Sequence, residues 1–127
     1  MNSLEAMLAR IPGVDYETAI KRMSDNAAFY AELLRLFFKD DPSKKLAAVM
    51  ERGDYINAAY EAHSIKGTAA NIGLTEISLI ASKIHLCLKK GDTKQAKAML
   101  AELEQACKPV CSAIYQLNGG TADERTK

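Results

Sequence analysis

The chain has 127 residues, with 17 lysines and arginines against 16 acidic residues, and 48% of its residues are hydrophobic. This length predicts one domain with its own core, and the net charge of +1 disfavours nucleic-acid and membrane-surface binders, because both classes need a strongly basic surface. The sequence has no apolar run of transmembrane length and no signal segment, so we expect a cytoplasmic protein.

Two short helices are predicted at the N-terminus. The first has an apolar face and ends before Pro12 and Gly13, since this pair favours a turn. Asp15 is placed to cap a second helix that runs to about Met23, because its carboxylate can accept free backbone N–H groups of the first turn. The apolar face of the first helix consists of Leu4, Met7, Leu8 and Ile11.

A third helix is predicted to begin at Ser24 or Asp25, as its cap, and to end near Asp40. Pro42 ends it, because the residue before a proline is disfavoured in the α-helical conformation. Capping before Pro42 also explains the Asp40–Asp41 pair better than a magnesium site does. Large apolar side chains recur at helical spacing and predict a core-facing stripe rather than a cofactor site. The stripe consists of Phe29, Leu33, Leu36 and Phe37.

Four further helices follow, and the first three are each closed by a glycine, which suits the left-handed conformation past a helix C-terminus. Asp92 and Gln95 form a capping-box-like pair for the last helix, in which Pro109 is predicted to cause a kink or to end the regular hydrogen bonding. The predicted segments are Pro42 to Glu51, Tyr55 to about Asn71, Thr75 to the residues before Gly91, and a last helix after Asp92.

Short connections between helices favour antiparallel neighbours. The sequence therefore predicts an all-α fold, an antiparallel up-and-down four-helix bundle with short accessory helices at the N-terminus. We expect the domain to span residues 1–117 and the polar tail, residues 118–127, to be disordered.

The second of these four helices carries a histidine on a solvent-facing side. At about 100° per residue, His63 lies roughly 140° from the centre of the apolar seam. Lys66, Gly67, Ala59 and Ala70 lie within about 60° of His63 on the same surface. A solvated face usually carries long charged side chains, and a glycine in mid-helix costs about 1 kcal/mol relative to alanine. The small residues therefore indicate close approach by another molecule. The seam consists of Ala58, Ala62, Ile65, Ala69 and Ile72.

This face is suited to phosphoryl chemistry. A neutral, exposed imidazole is a competent nucleophile without burial or a metal. Lys66 lies one turn from His63 and can place its ammonium beside the negative charge of a phosphoryl group.

The segment from Ala62 to Gly73 resembles the signature of histidine-containing phosphotransfer (HPt) domains, which is roughly A-H-x-L-K-G-x-A-x-x-x-G. The resemblance covers about residues 11–99. Three positions depart from the pattern: Ile65 replaces leucine, Ala70 stands where glycine is common, and His85 stands where the family often has glutamate.

The resemblance implies that His63 accepts a phosphoryl group from the aspartyl phosphate of a receiver domain and passes it to another receiver. It also implies that Lys66 stabilises the phosphoryl group and that Gly67, with Ala59 and Ala70 beside it, gives the receiver room to dock. The expected partners are response-regulator receiver domains and a hybrid histidine kinase, and the chain is expected to be a monomer. No cofactor is expected, since Mg²⁺ would come from the receiver, and without ATP-binding motifs the chain should not be a kinase.

Three alternatives stay open at this stage. A receiver-binding adaptor without phosphotransfer is disfavoured by the intact His63, Lys66 and Gly67. The phosphoacceptor and dimerisation domain of a sensor histidine kinase is disfavoured because Ser64, not an acidic residue, follows His63. A metal or haem bundle is disfavoured because the chain has two histidines, neither on an apolar stripe.

Two further sets of residues are interpreted as having no functional role. His85 is interpreted as a plain surface residue, because it lies off the apolar stripe of its helix. The odd number of cysteines, without a second ligand pair, indicates neither a disulfide framework nor a zinc site, so they are interpreted as small buried hydrophobes. They are Cys87, Cys107 and Cys111.

Overall fold

The computed structural model describes residues 3–117, and this part of the chain forms helices with no strand. The helices are α1 (Ser3–Ala9), α2 (Tyr16–Arg22), α3 (Ala27–Lys39), α4 (Pro42–Glu51), α5 (Tyr55–Asn71), α6 (Thr75–Lys89) and α7 (Thr93–Leu117). The all-α fold predicted from the sequence is confirmed. The predicted disorder of residues 118–127 concerns a segment outside the described residues.

Side-chain caps fix where most of these helices begin. The carboxylates of Asp15, Asp41, Asp54 and Asp92 each accept a backbone N–H from the first turn of the helix that follows, at 3.0 to 3.3 Å. Each such bond satisfies a donor that has no partner within its helix, and is worth about 1 kcal/mol. The predicted caps at Asp15, Asp41 and Asp92 are confirmed, and Asp54 caps α5 in the same way.

The predicted cap of α3 is wrong. Asn26, not Ser24 or Asp25, accepts the backbone N–H of Phe29 at 3.0 Å. Ser24 and Asp25 have φ angles of 53° and 60°, and the N–H of Asp25 donates to the carbonyl of Ile20. They form the left-handed turn that ends α2, a conformation incompatible with the extended backbone of a cap residue.

The predicted core stripe of α3 is wrong too, by one residue, or about 100° around the helix. Phe29 and Leu36 are 49% and 58% exposed, and Leu33 and Phe37 are only partly buried. The small side chains of the true inner face permit close packing against α1, α2 and α7, and the tyrosine on that face finds a partner for its hydroxyl. The inner face consists of Ala27, Tyr30, Ala31, Leu34 and Phe38.

The bundle consists of α4 to α7, with each helix packed on two others in a ring. α5 contacts α4 and α6, and α7 contacts α6 and α4. Successive helices of the bundle are joined by links of three residues each, which are 52–54, 72–74 and 90–92. A three-residue link spans at most about 10 Å, so packed successive helices must run antiparallel. The predicted four-helix bundle is therefore confirmed, with α1 to α3 as the accessory layer that contacts α7 through α3.

The last helix does not end at Pro109 but runs on to Leu117. Proline removes the intrahelical donor for the carbonyl of Gln105, and Gln105 is exposed, so solvent can take the place of that donor. Cys107 is buried in this helix, and burial raises its pKa to about 12, which keeps the thiol protonated. Cys87 and Cys111 are half-buried, and none of the three cysteines forms a disulfide.

Candidate functional site

The helix that carries His63 is held firmly at its C-terminal end. The guanidinium of Arg22 donates to the carbonyls of Ala70 and Asn71 at 3.0 and 3.2 Å. The hydroxyl of Tyr30 donates to the carbonyl of Ile72. These bonds satisfy carbonyls that have no partner within the helix, and the positive charge of Arg22 complements the negative end of the helix dipole. The accessory helices thereby fix the position of α5.

The wheel prediction for α5 agrees with the observed burial. The seam residues Ala58, Ala62, Ile65, Ala69 and Ile72 are at most 3% exposed. On the opposite side His63, Gly67 and Ala70 are exposed, while Lys66 and Ala59 are half-buried.

The surface around His63 is open at Gly67. A Cβ atom added there would meet nothing within 4 Å, so the fold itself does not require glycine at this position. Lys66 lies on the same surface one turn from His63, with its backbone carbonyl accepting the hydroxyl of Ser78 at 2.9 Å. The face therefore offers an approachable imidazole and a neighbouring cation.

The interpretation of His85 as a plain surface residue is wrong. Its ring lies beside that of His63, with centroids 5.1 Å apart and the planes tilted by 44°. Its Nδ1 is 2.9 Å from the backbone carbonyl oxygen of Ala59, and the side chain is half-buried. This contact explains why Ala59 is less exposed than Gly67 and Ala70. His63 lies ten residues before Gly73 and His85 twelve residues after it, so the antiparallel packing of α5 and α6 brings the two histidines within about one helical turn of each other, and the sequence alone permits this count.

The two polar contacts between α6 and α5 have a common spacing. Ser78 and His85 are seven residues apart on α6, and their acceptors, Lys66 and Ala59, are seven residues apart on α5 in the opposite direction. This matches the repeat of antiparallel helices in contact. The surface around His63 is thus supported by α6 at two points of the α5 backbone.

Two large side chains beside His63 were not identified from the sequence. Ile56 and Tyr60 are 74% and 70% exposed. On the helical wheel they lie about 20° and about 60° from His63, so the same wheel that selected the small residues could have identified them. They line a groove of about 350 Å³ that also includes His85 and Lys89. An exposed apolar rim at a polar site is typical of a surface that another protein covers.

The Hpt domain family model matches residues 30–113, more than half of the chain. The chain belongs to the Hpt domain family. This confirms the resemblance stated from the sequence, and the match includes α4 to α6 with both histidines. Hpt domains are phosphocarrier modules that act in histidine phosphotransfer. Comparisons with curated proteins and with solved structures gave no significant match.

Two kinds of feature are absent from residues 3–117. No helix in this range is long and apolar enough to cross a membrane. The same range contains no group of three or more histidine, cysteine, aspartate or glutamate side chains that could hold a metal ion.

Proposed function

We propose that this Hpt domain carries a phosphoryl group on His63, accepting it from the aspartyl phosphate of one receiver domain and passing it to the aspartate of another. The observation that carries the proposal is the exposed imidazole of His63 beside an open surface at Gly67 within the family motif. A receiver active site can reach this imidazole because no large side chain of the same helix face stands between His63 and Gly67.

The transfer step needs a nucleophile and little else from this chain. The lone pair of an imidazole nitrogen of His63 attacks phosphorus, the bond between phosphorus and the aspartyl oxygen breaks, and the carboxylate leaves with the electron pair. Such a transition state is loose, so positioning and charge stabilisation supply most of the catalysis. Lys66 would stabilise the negative charge on the phosphoryl oxygens. The second transfer is the reverse of this step with a different receiver.

Docking would use both the small and the apolar residues of the face. Gly67, Ala70 and Ala59 allow the receiver backbone to come close to His63. Ile56 and Tyr60 supply apolar area that is exposed in the isolated domain, and burying such area stabilises an interface by about 25 cal/mol per Å² before the costs of association.

The remaining chemistry would come from partners. We propose that the receiver holds the Mg²⁺ needed at its own aspartate, that the chain neither binds nor hydrolyses ATP, and that a hybrid histidine kinase is a further partner. We propose also that the domain acts as a monomer in the cytoplasm.

The test is transfer from a phosphorylated receiver domain of the same organism to the wild type and to His63→Gln. The wild type should gain the mass of one phosphate, labile to acid, and His63→Gln should gain none. Because His63 is exposed, the substitution should change the free energy of unfolding by less than about 0.5 kcal/mol.

Circular dichroism and urea denaturation serve as the folding control for this experiment. His85→Gln is the matched variant, since it removes the other imidazole of the pair and should still accept phosphate. Phosphate on His63→Gln would contradict the assignment of the acceptor. Receiver binding without transfer to the wild type would contradict the carrier function and favour an adaptor.

A further inference from the structure

The second histidine of the site has no part in the transfer step described above, although its ring lies beside that of the acceptor. Within residues 3–117, His85 is the titratable side chain whose ring contacts that of His63, at 5.1 Å between centroids. Its position on α6 is held by its own hydrogen bond to α5. The contact between the two imidazole rings is therefore set by the packing of α6 on α5.

The hydrogen bond fixes the tautomer of neutral His85. A carbonyl oxygen only accepts, so Nδ1 of His85 must carry the hydrogen that it donates to Ala59 at 2.9 Å. The lone pair of the neutral ring is then on Nε2. In a regular α-helix the Ala59 carbonyl also accepts the backbone N–H of His63, so His85 is tied to the turn that carries the acceptor.

The residues that line the groove of His85 include no carboxylate that would hold it in the charged form. The ionisable groups that line its groove are Tyr55 and Tyr60 on α5 and Lys89 on α6, and Lys97 on α7 lies 6.0 Å from the Tyr55 ring centroid. Tyrosines are neutral and lysines are cationic near pH 7. The new negative charge at this site is therefore the phosphoryl group itself.

We propose that His85 takes up a proton at Nε2 when His63 is phosphorylated, and that the resulting imidazolium stabilises the phosphohistidine. The inference rests on the proposed function of His63. In this step a proton from solvent binds the Nε2 lone pair, no bond to phosphorus changes, and the proton returns to solvent when the phosphoryl group leaves. His85 keeps its Nδ1–H bond to Ala59 throughout.

Proton uptake on phosphorylation makes the transfer equilibrium depend on pH. At lower pH the imidazolium of His85 attracts the phosphoryl dianion on His63, which favours the phosphorylated domain. Opposite charges about 5 Å apart at a solvated surface couple by roughly five- to tenfold in an equilibrium constant. Lower pH should thus move phosphoryl groups from the receiver to this domain.

The experiment measures the transfer equilibrium between a phosphorylated receiver and the domain at about pH 6 and about pH 8. At each pH, the equilibrium constant measured for the wild type is divided by that for His85→Gln, which cancels the titration of the receiver. Glutamine can still donate to the Ala59 carbonyl but cannot become charged. The ratio should be roughly five- to tenfold higher at the lower pH. An equal ratio at both pH values would overturn the proposal.

Ser78→Ala is the matched structural control, because it removes the other hydrogen bond from α6 to an α5 carbonyl without removing an ionisable group. The equilibrium constant of transfer for Ser78→Ala, divided by that for the wild type, should be the same at both pH values. A change equal to that of His85→Gln would show that helix packing, not charge, sets the equilibrium. Wild-type protein that accepts no phosphate would instead reject the proposed function itself.

A spectroscopic measurement tests the same step without a receiver. Phosphoramidate serves as the small phosphodonor, and ¹⁵N imidazole spectra at about pH 7 report the protonation of each ring nitrogen. His85 should be the Nδ1–H tautomer in the free domain and should show greater protonation of Nε2 after phosphorylation. An Nε2–H tautomer in the free domain, or unchanged His85 signals after phosphorylation, would contradict the proposal.

Discussion

Two glycines six residues apart, one within α5 and one just past its end, stand in opposite relations to the fold. Gly73 has a φ of +79°, and a Cβ atom there would lie 2.7 Å from the backbone oxygen of Asp15 and 2.9 Å from the Cβ of Ala19. Gly67 lies within the helix, and a Cβ atom there would meet nothing within 4 Å. The fold requires glycine at position 73 but does not require it at position 67.

The difference separates a glycine that the packing of the domain requires from one for which we propose a role in docking. Around Gly73 the backbone carbonyls are engaged: that of Gly73 accepts the Asp15 N–H at 2.8 Å, and Arg22 and Tyr30 donate to the carbonyls just before it. Around Gly67 the space beside the helix is open, since no atom lies within 4 Å of an added Cβ atom. We propose that this open space, beside an exposed histidine, admits a receiver domain.

The largest effect on stability is expected for Gly73→Ala, which should lower the free energy of unfolding by about 2–4 kcal/mol. A non-glycine residue in the left-handed region costs about 1–3 kcal/mol, and the added methyl group meets a backbone oxygen that cannot move without shifting α2. Urea denaturation followed by circular dichroism measures the loss.

Gly53→Ala is the control for Gly73→Ala. Its φ of +75° imposes the same backbone strain, but a Cβ atom there meets nothing within 4 Å. It should therefore cost about 1 kcal/mol, less than Gly73→Ala. Equal losses for the two variants would mean that the contact with Asp15 contributes nothing.

A smaller effect is expected from Tyr30 at alkaline pH. Burial first, and then the nearby Asp15 and Tyr16, raise the pKa of Tyr30 in the folded state. The folded domain therefore holds this proton more tightly than the unfolded chain, whose tyrosines ionise near pH 10. The stabilisation is complete below that pH and is lost as the pH rises above it. Stability should accordingly fall with increasing pH above about 10.

Tyr30→Phe isolates this contribution. At neutral pH it should cost about 1 kcal/mol, because the Ile72 carbonyl loses its donor, and above about pH 10 it should make the decline of stability with pH shallower. Ionisation of Cys107 also lowers the free energy of unfolding at high pH, because burial raises the pKa of this thiol to about 12. Cys107→Ala is therefore the companion variant. An unchanged pH profile for Tyr30→Phe would exclude the tyrosine as its source.

The sequence predicts α5 well and α3 poorly for one physical reason. On α5 the buried seam is marked by small and branched apolar residues at regular spacing, and the opposite face has no competing apolar stripe of comparable length. On α3 two stripes compete, and the one with more phenylalanine and leucine is not the buried one. Tyr30 and Ala31 face the core because close packing and a hydroxyl partner at Ile72 decide the outcome, and both depend on tertiary contacts.

The residues of the candidate site that lie on one helix could likewise be grouped from the sequence, whereas the contact between two helices could not be read from either helix alone. Local spacing on one helix was sufficient to place His63 on the solvent side and to group Gly67 with it, and the structure agrees. The contact with His85 depends on how α6 registers against α5, which the count from the turn at 72–74 indicates but no pattern within either helix does. Ile56 and Tyr60 lie on the His63 side of the same helical wheel, so local spacing also places these exposed apolar side chains on the face of the site.

The smallest effect on stability is expected at Gly67. Gly67→Ala should raise the free energy of unfolding by about 0.5–1 kcal/mol, because alanine is the better helix former and the added methyl group meets nothing within 4 Å. Gly67→Arg should leave helix content unchanged yet lower the rate of phosphotransfer at least about tenfold, since a long side chain would occupy the space beside His63. If Gly67→Arg transferred at the wild-type rate, the open surface would have no part in docking, and the contrast with Gly73 would lose its functional meaning.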